Sequence, residues 1–199
     1  MITAADPYPW PYDGILLPAR TALVVAGAQV AWADRSVGAG VAAVIARVAI
    51  ALRAVGGTVF LLRHGAVTTG QRRLGLPPLV GSGPWALAPT VETADVIVDV
   101  GGFDGFHASV LDDELRRRGI DHLVLCGHGA EVTVDGTLRS ANDRGYECLT
   151  LVDAVAPFDA DLGRHALASV TMSGGIFGAI APSDALLDAL SRIPSLTEV

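Results

Sequence analysis

Along the chain, short apolar runs alternate with segments whose apolar positions recur every three or four residues. The runs TALVVAG, TVFLLRH, DVIVDV, DHLVLCG and ECLTLVD are branched and almost continuously apolar, with GIFGAIA as a weaker sixth. Such runs suit parallel strands covered on both faces, where no polar alternation is needed. Helix-like segments lie between them, over Val37 to Ala54, Ser109 to Arg118, Val132 to Arg144 and Asp161 to Met172. A closing helix is expected in PSDALLDALSRI, from Pro182 and the cap signal of Ser183. This alternation predicts an α/β fold: a three-layer, doubly wound, mostly parallel sheet of about six strands with helices on both faces.

No repeat or interdomain linker interrupts the 199 residues, so a single domain spanning 1–199 is expected. The longest irregular stretch, Gly65 to Thr90, is too long for an idle connection and predicts a lid or an oligomer contact. In an open parallel sheet the ligand crevice lies beyond the C-terminal strand ends. That rule gathers Gly27, Arg63, Val100 and the stretch LCGHGAEVTVDGT, Leu125 to Thr137, at one mouth.

Composition narrows the classes. Hydrophobic residues make up 51% and charged residues 18%, which excludes disorder, and no apolar run approaches the roughly 20 residues of a membrane span. The start, MITAADPYPWPYDG, has neither a basic nor an apolar leader region, and a cytoplasmic protein without membrane contact is expected. Net charge is -7, and the one basic run, Arg116 to Arg118, reads as the solvated end of a helix, so nucleic acid is not expected as a partner. Cys126 and Cys148 sit in strand-like runs without metal or CxxC spacing and read as buried thiols. All 14 basic residues are arginine; the chain contains no lysine.

The segments PYPWPYDG, ARTALVVAGAQ, FHASVLDDELRRRGIDHLVLCG, RSANDRGYECLTLVDAVA and SGGIFGAIA, in this order, resemble the isochorismatase-like cysteine hydrolases. Within that superfamily they resemble the amidohydrolases of biuret and related carbamoyl compounds. The resemblance implies an Asp two residues before Gln29, a Lys six before Phe106, and a nucleophilic Cys at the start of the helix after the fourth strand. Here those positions hold Gly27, Val100 and Thr133. It also implies a cis peptide between His128 and Gly129, and an oxyanion hole from the amides of Gly129 and Thr133.

Chemistry bears on these replacements independently. Covalent amide hydrolysis needs an activated nucleophile and a proton for the leaving amine. A helix start can bring a thiol toward thiolate, but it does not turn a threonine hydroxyl into an alkoxide. Thr133 would need a base, and Gly27 supplies none. Cys126 lies seven residues earlier, inside the strand. Relatives that cleave a vinyl ether with the Asp as acid offer no route, because that Asp is the missing side chain.

The expected pocket is lined by Gln29, Trp32, Asp104, His107, His128, Gly129, Glu131, Thr133 and Ser173. By resemblance, His128 stands where an apolar residue is usual, Glu131 where Asp or Asn is usual, Ser173 in place of a substrate-holding Gln, and His107 in place of an aromatic. His128 could bond a strand-end carbonyl and Glu131 could cap the following helix; alternatively they form an imidazole and carboxylate pair able to move a proton. Trp32 packs against the crevice wall or stacks on a ligand, and Asp104 is a turn residue or faces the mouth. His64 lacks the partners of a metal site, so neither metal nor cofactor is expected. His122 and His165 read as surface or helix-face residues.

Three functions remain open: a non-hydrolytic protein binding a small polar metabolite or regulating a partner; an enzyme repurposed for elimination, isomerisation or cyclisation through His128 and Glu131; and a structural subunit of an active homologue. Resemblance implies a homo-oligomer.

Overall fold

The computed structural model describes residues 1–37, 40–66, 68–73, 86–87 and 94–195. Its strands are β1 (Thr21–Ala26), β2 (Thr58–His64), β3 (Val96–Val100), β4 (His122–His128), β5 (Glu147–Ala156) and β6 (Ala179–Ala181). They form one sheet in the order β3-β2-β1-β4-β5-β6. Every neighbouring pair is parallel. The helices are α1 (Val30–Ala33), α2 (Val41–Ala54), α3 (Thr69–Arg73), α4 (Leu111–Arg117), α5 (Asp135–Asp143), α6 (Ala160–Val170), α7 (Met172–Gly175) and α8 (Ser183–Leu190).

Both faces of the sheet are covered, which explains the unbroken apolar strands. Leu23 and Val25 of β1 face α2 and α8, whereas Ala22 and Val24 face α4 and α5, and all four are buried. On α2 the buried residues Val41, Ile45, Val48, Ala49 and Leu52 fall on one stripe of helical spacing. Each fully buried Leu of this kind contributes roughly 1.5–3 kcal/mol, so the central strands carry much of the stability.

Helix α2 begins at Val41 because Gly40 adopts a left-handed φ of 89° at its N-cap. The weak sixth run yields only three strand residues, since Gly174, Gly175 and Gly178 before it all have positive φ. In β5 the register shifts between Leu125↔Thr150 and Gly127↔Val155. The extra residues form a bulge that turns Asp153 outward. Its carboxylate accepts from the backbone N–H and hydroxyl of Ser183, at 2.7 and 2.6 Å, so that hydroxyl is tied to β5 and does not cap α8.

The first dozen residues run along the N-terminal sheet edge. There Trp10 packs edge-on against His122, and the Tyr12 N–H donates to Glu147. His122 is therefore buried at 4% exposure between these groups, not on the surface. Most of the expected lid, Gly65 to Thr90, lies outside the described residues; of its described part, Ala86 accepts from the Val30 N–H and Leu87 bridges to Gln29. Among the described residues no helix is long and apolar enough to cross a membrane.

Candidate functional site

The strand order reverses between β1 and β4, and the region beyond their C-terminal ends is where such a sheet places its site. Gly27 leaves β1 there, with a left-handed φ of 61°. A Cβ on it would lie 2.5 Å from the main-chain oxygen of His128 and 3.4 Å from Thr133 Oγ1. The Thr133 hydroxyl, fully buried, donates to that same His128 oxygen at 2.5 Å and reaches the Gly129 oxygen at 3.2 Å. Gly27, His128 and Thr133 thus meet at the floor of the crevice, and a backbone carbonyl fills the centre.

The chain turns from β4 into its helix through Gly129, at φ 76° and ψ 58°. The implied cis peptide is not present: cis bonds occur at Asp6–Pro7 and Trp10–Pro11 among the described residues. The left-handed glycine makes the turn instead. The first helical turn, Ala130–Val134, is π-like, with the N–H groups of Val132, Thr133 and Val134 converging on the Gly129 oxygen at 2.9 to 3.2 Å. The Gly129 N–H donates to the Ala156 oxygen at 2.7 Å. Both amides of the implied oxyanion hole are therefore occupied by backbone carbonyls.

An aromatic cluster lies over this floor. Phe158 and Trp32 stack with centroids 5.2 Å apart and planes at 20°, and Phe103 and His64 meet Trp32 edge-on at 6.2 and 6.1 Å. A Cβ on Gly129 would lie 2.9 Å from Phe158 Cζ and 3.1 Å from Thr133 Oγ1, which puts the edge of that ring against Gly129. Of two open grooves, one of about 510 Å³ lies away from this floor between α2 and α8, and one of about 470 Å³ runs along the turn from β5 into α6, lined by Ala130 and Pro157 beside it.

The polar residues expected in the pocket are mostly engaged. Gln29 is buried and pins β1 to β2: its Oε1 accepts from the His64 N–H at 2.7 Å and its Nε2 donates to the His64 oxygen at 3.3 Å. Glu131 accepts from the N–H groups of Phe158 and Asp159, both at 2.9 Å, so it caps the start of α6 and not the helix that follows it in sequence. Both His128 ring nitrogens are buried without a hydrogen-bond partner, so His128 neither bonds a strand-end carbonyl nor pairs with Glu131. Burial lowers the His128 pKa.

Asp104 closes its own turn by accepting from the Phe106 N–H at 2.9 Å, and His107 is exposed. Val100 is buried at the end of β3, and the Gly65 N–H donates to its oxygen at 2.8 Å. Ser173 is not at the crevice. Helix α6 runs back along the sheet, so α7 falls at the opposite edge, where a Cβ on Gly175 would meet Tyr8 and Pro7.

His64 is wholly buried with its pKa lowered to about 4 by desolvation. Its Nδ1 lies 3.0 Å from the Gly102 oxygen, so Nδ1 carries the proton and Nε2 is left as an unpartnered acceptor. Cys126 is fully buried, and burial pushes its thiol pKa up, away from nucleophile chemistry. Among the described residues no three His, Cys, Asp or Glu side chains gather as a metal-holding group.

The sequence reading missed Phe158 and Phe103, which pack on Trp32 at this site. The only local signal was an aromatic residue in PFD, between a strand end and a helix start.

Sheet order and site define a doubly wound α/β protein with its site at the switch point. The isochorismatase domain matches residues 21–181, and the chain belongs to the isochorismatase family. It is 34% identical over 118 residues to the ureidoacrylate amidohydrolase RutB of Methylobacterium radiotolerans, covering 58% of this chain and 46% of that protein. The chain therefore spans about half the length of that relative. Against RutB of Stutzerimonas stutzeri the identity is 29%, with 92% of each chain covered. Among solved structures, a cysteine hydrolase from Pseudomonas syringae pv. phaseolicola superposes with a TM-score of 0.81 at 24% identity, covering 90% of this chain and 96% of that one. That likeness speaks for the fold alone. An isochorismatase family protein from Burkholderia thailandensis gives a TM-score of 0.70 at 28% identity, with 88% and 97% covered.

Proposed function

We propose that this chain is a non-hydrolytic member of the isochorismatase family, acting in the cytoplasm through contact with a partner protein, either another copy of itself or a catalytic homologue. The observation that carries this reading is the His128 carbonyl, 2.5 Å from the Gly27 Cβ position and bonded to the Thr133 hydroxyl. If Gly27, Val100 and Thr133 are the positions of an Asp, Lys and Cys triad, the space for the Asp side chain holds a main-chain oxygen. Among the described residues, none at these three positions offers a base to activate a nucleophile or an acid for a leaving amine. The relatives named ureidoacrylate amidohydrolase supply the reaction to test first.

The test is an assay of the purified protein with ureidoacrylate, biuret and simple carbamoyl amides. No turnover above buffer is expected, and turnover by the unmodified protein would overturn the proposal. The combined variant Gly27→Asp, Val100→Lys and Thr133→Cys is expected to stay inactive, because the added Cβ at position 27 meets the carbonyl.

A second reading, a small neutral polar ligand in the crevice, is favoured by the unpartnered Trp32 Nε1 and His64 Nε2, a buried donor and a buried acceptor. Such groups each cost about 1–3 kcal/mol unless something pairs with them. Calorimetric titration with urea and small amides decides this reading: saturable heat supports it, and its absence would overturn it.

A further inference from the structure

We propose that Phe158 is a plug, latched by Glu131, that seals the crevice floor around Thr133, so that access to the floor is set by the turn between β5 and α6. The inference rests on the reading of the site as closed, and adds what keeps it closed. Phe158 Cζ stands 2.9 Å from the Cβ position of Gly129, and Thr133 Oγ1 stands 3.1 Å from that same point. The ring and the Thr133 hydroxyl therefore both border the small space left by the missing Cβ of Gly129, and Thr133 is fully buried. Trp32 stacks on Phe158 at 5.2 Å and is itself 5% exposed.

The plug is held by its backbone. The Glu131 carboxylate takes the Phe158 N–H on both oxygens, at 2.9 and 3.2 Å, and the Asp159 N–H at 2.9 Å. On the other side of the turn, the Val37 N–H donates to the Pro157 oxygen at 2.7 Å. Glu131 sits in the first turn of the helix that carries Thr133, so the latch joins the floor directly to the plug. Glu131 is thus a positioning residue acting through Phe158. Charged acceptors bonded to main-chain N–H groups are among the stronger single contacts, which suits a latch.

The experiment reads access with a thiol. The variant Thr133→Cys places a thiol at the floor, while Cys126 and Cys148 are buried and serve as internal reporters of global opening. In Thr133→Cys, labelling by 5,5′-dithiobis(2-nitrobenzoate) at position 133 is expected to be as slow as at the native thiols. Adding Phe158→Ala is expected to speed labelling at 133 at least tenfold, with the native thiols still protected; adding Glu131→Gln gives a smaller increase of the same kind. Equal rates at 133 with and without Phe158→Ala would overturn the plug. If all three thiols become reactive together, the milder Phe158→Leu replaces Phe158→Ala, and an unchanged rate at 133 in that variant counts equally against the proposal. Amide turnover by the unmodified protein would refute the non-hydrolytic reading without altering these labelling rates, so the two failures are distinguishable.

Discussion

The main-chain oxygen of His128 occupies the place beside Gly27 where any side chain at position 27 would have to begin, 2.5 Å from the would-be Cβ. Gly27 also holds a φ of 61°, a conformation that costs an L residue about 1–2 kcal/mol. Overlap with a buried carbonyl adds about 1–3 kcal/mol. Gly27→Ala is therefore expected to lower stability by about 2–5 kcal/mol, read by urea denaturation. A loss below about 0.5 kcal/mol, the range of an ordinary surface substitution, would show that the 128–129 peptide moves freely and that the floor is not fixed.

Thr133 holds the other side of that carbonyl. Its hydroxyl donates to His128 O at 2.5 Å, and the Thr133 main-chain oxygen accepts from the Thr137 hydroxyl at 2.6 Å, whose Oγ1 in turn accepts from the Gly105 N–H at 2.9 Å. Thr133→Val keeps the shape and removes the donor, leaving the buried carbonyl short of a partner. A loss of about 1–3 kcal/mol is expected, and Thr133→Ser, which retains the hydroxyl, should lose less. Comparing the two unfolding midpoints separates hydroxyl from volume, and an equal loss in both would assign Thr133 to packing alone.

How much of this was readable from residue order follows from what each signal reports. Periodicity reports burial, so the strands and major helices were legible, and the switch-point rule correctly brought Gly27 to the Leu125–Thr137 stretch. Periodicity carries no information on which way a peptide points. The orientation of the 128–129 carbonyl, and with it the absence of free amides at Gly129 and Thr133, could not be read from it. Glu131 shows the second limit: its partners Phe158 and Asp159 lie 27 and 28 residues later, and no local pattern couples them. Ser173 shows a third, because matching a motif position fixes a place in sequence while the direction of α6 decides which sheet edge that place reaches.

The start of α6 carries two carboxylates with separate tasks. Asp159 accepts from the N–H groups of Asp161 and Leu162 at 2.9 and 3.0 Å, and Glu131 accepts from those of Phe158 and Asp159. Removing either exposes N–H groups at the positive end of the helix. Asp159→Ala is expected to cost about 1 kcal/mol, as for other N-caps. Glu131→Ala should cost about 2–3 kcal/mol because two charged bonds are lost together. Since the two acids share Asp159, the double variant should lose less or more than the sum by at least about 0.5 kcal/mol, and strict additivity in urea titrations would argue against a common latch.

His64 makes the fold sensitive to acid. Buried and neutral, with its pKa lowered to about 4, it takes up its proton in the folded protein well below the ordinary value of 6.5, so the unfolded chain binds a proton first as pH falls. Its contribution is therefore fully present above about pH 6.5 and is lost progressively down to about pH 4. A difference of this size corresponds to about 3 kcal/mol across that window. His64→Asn keeps a side-chain N–H for the Gly102 oxygen and removes this titration, so its stability should fall less steeply between pH 6.5 and 4 than the parent's. His128, also lowered by burial, adds a slope of the same sign. Urea midpoints at half-unit pH steps measure both. Should the parent and His64→Asn fall in parallel through that range, the acid sensitivity would belong to His128 and the carboxylates, and the buried imidazole beneath Trp32 would have to be reached by water.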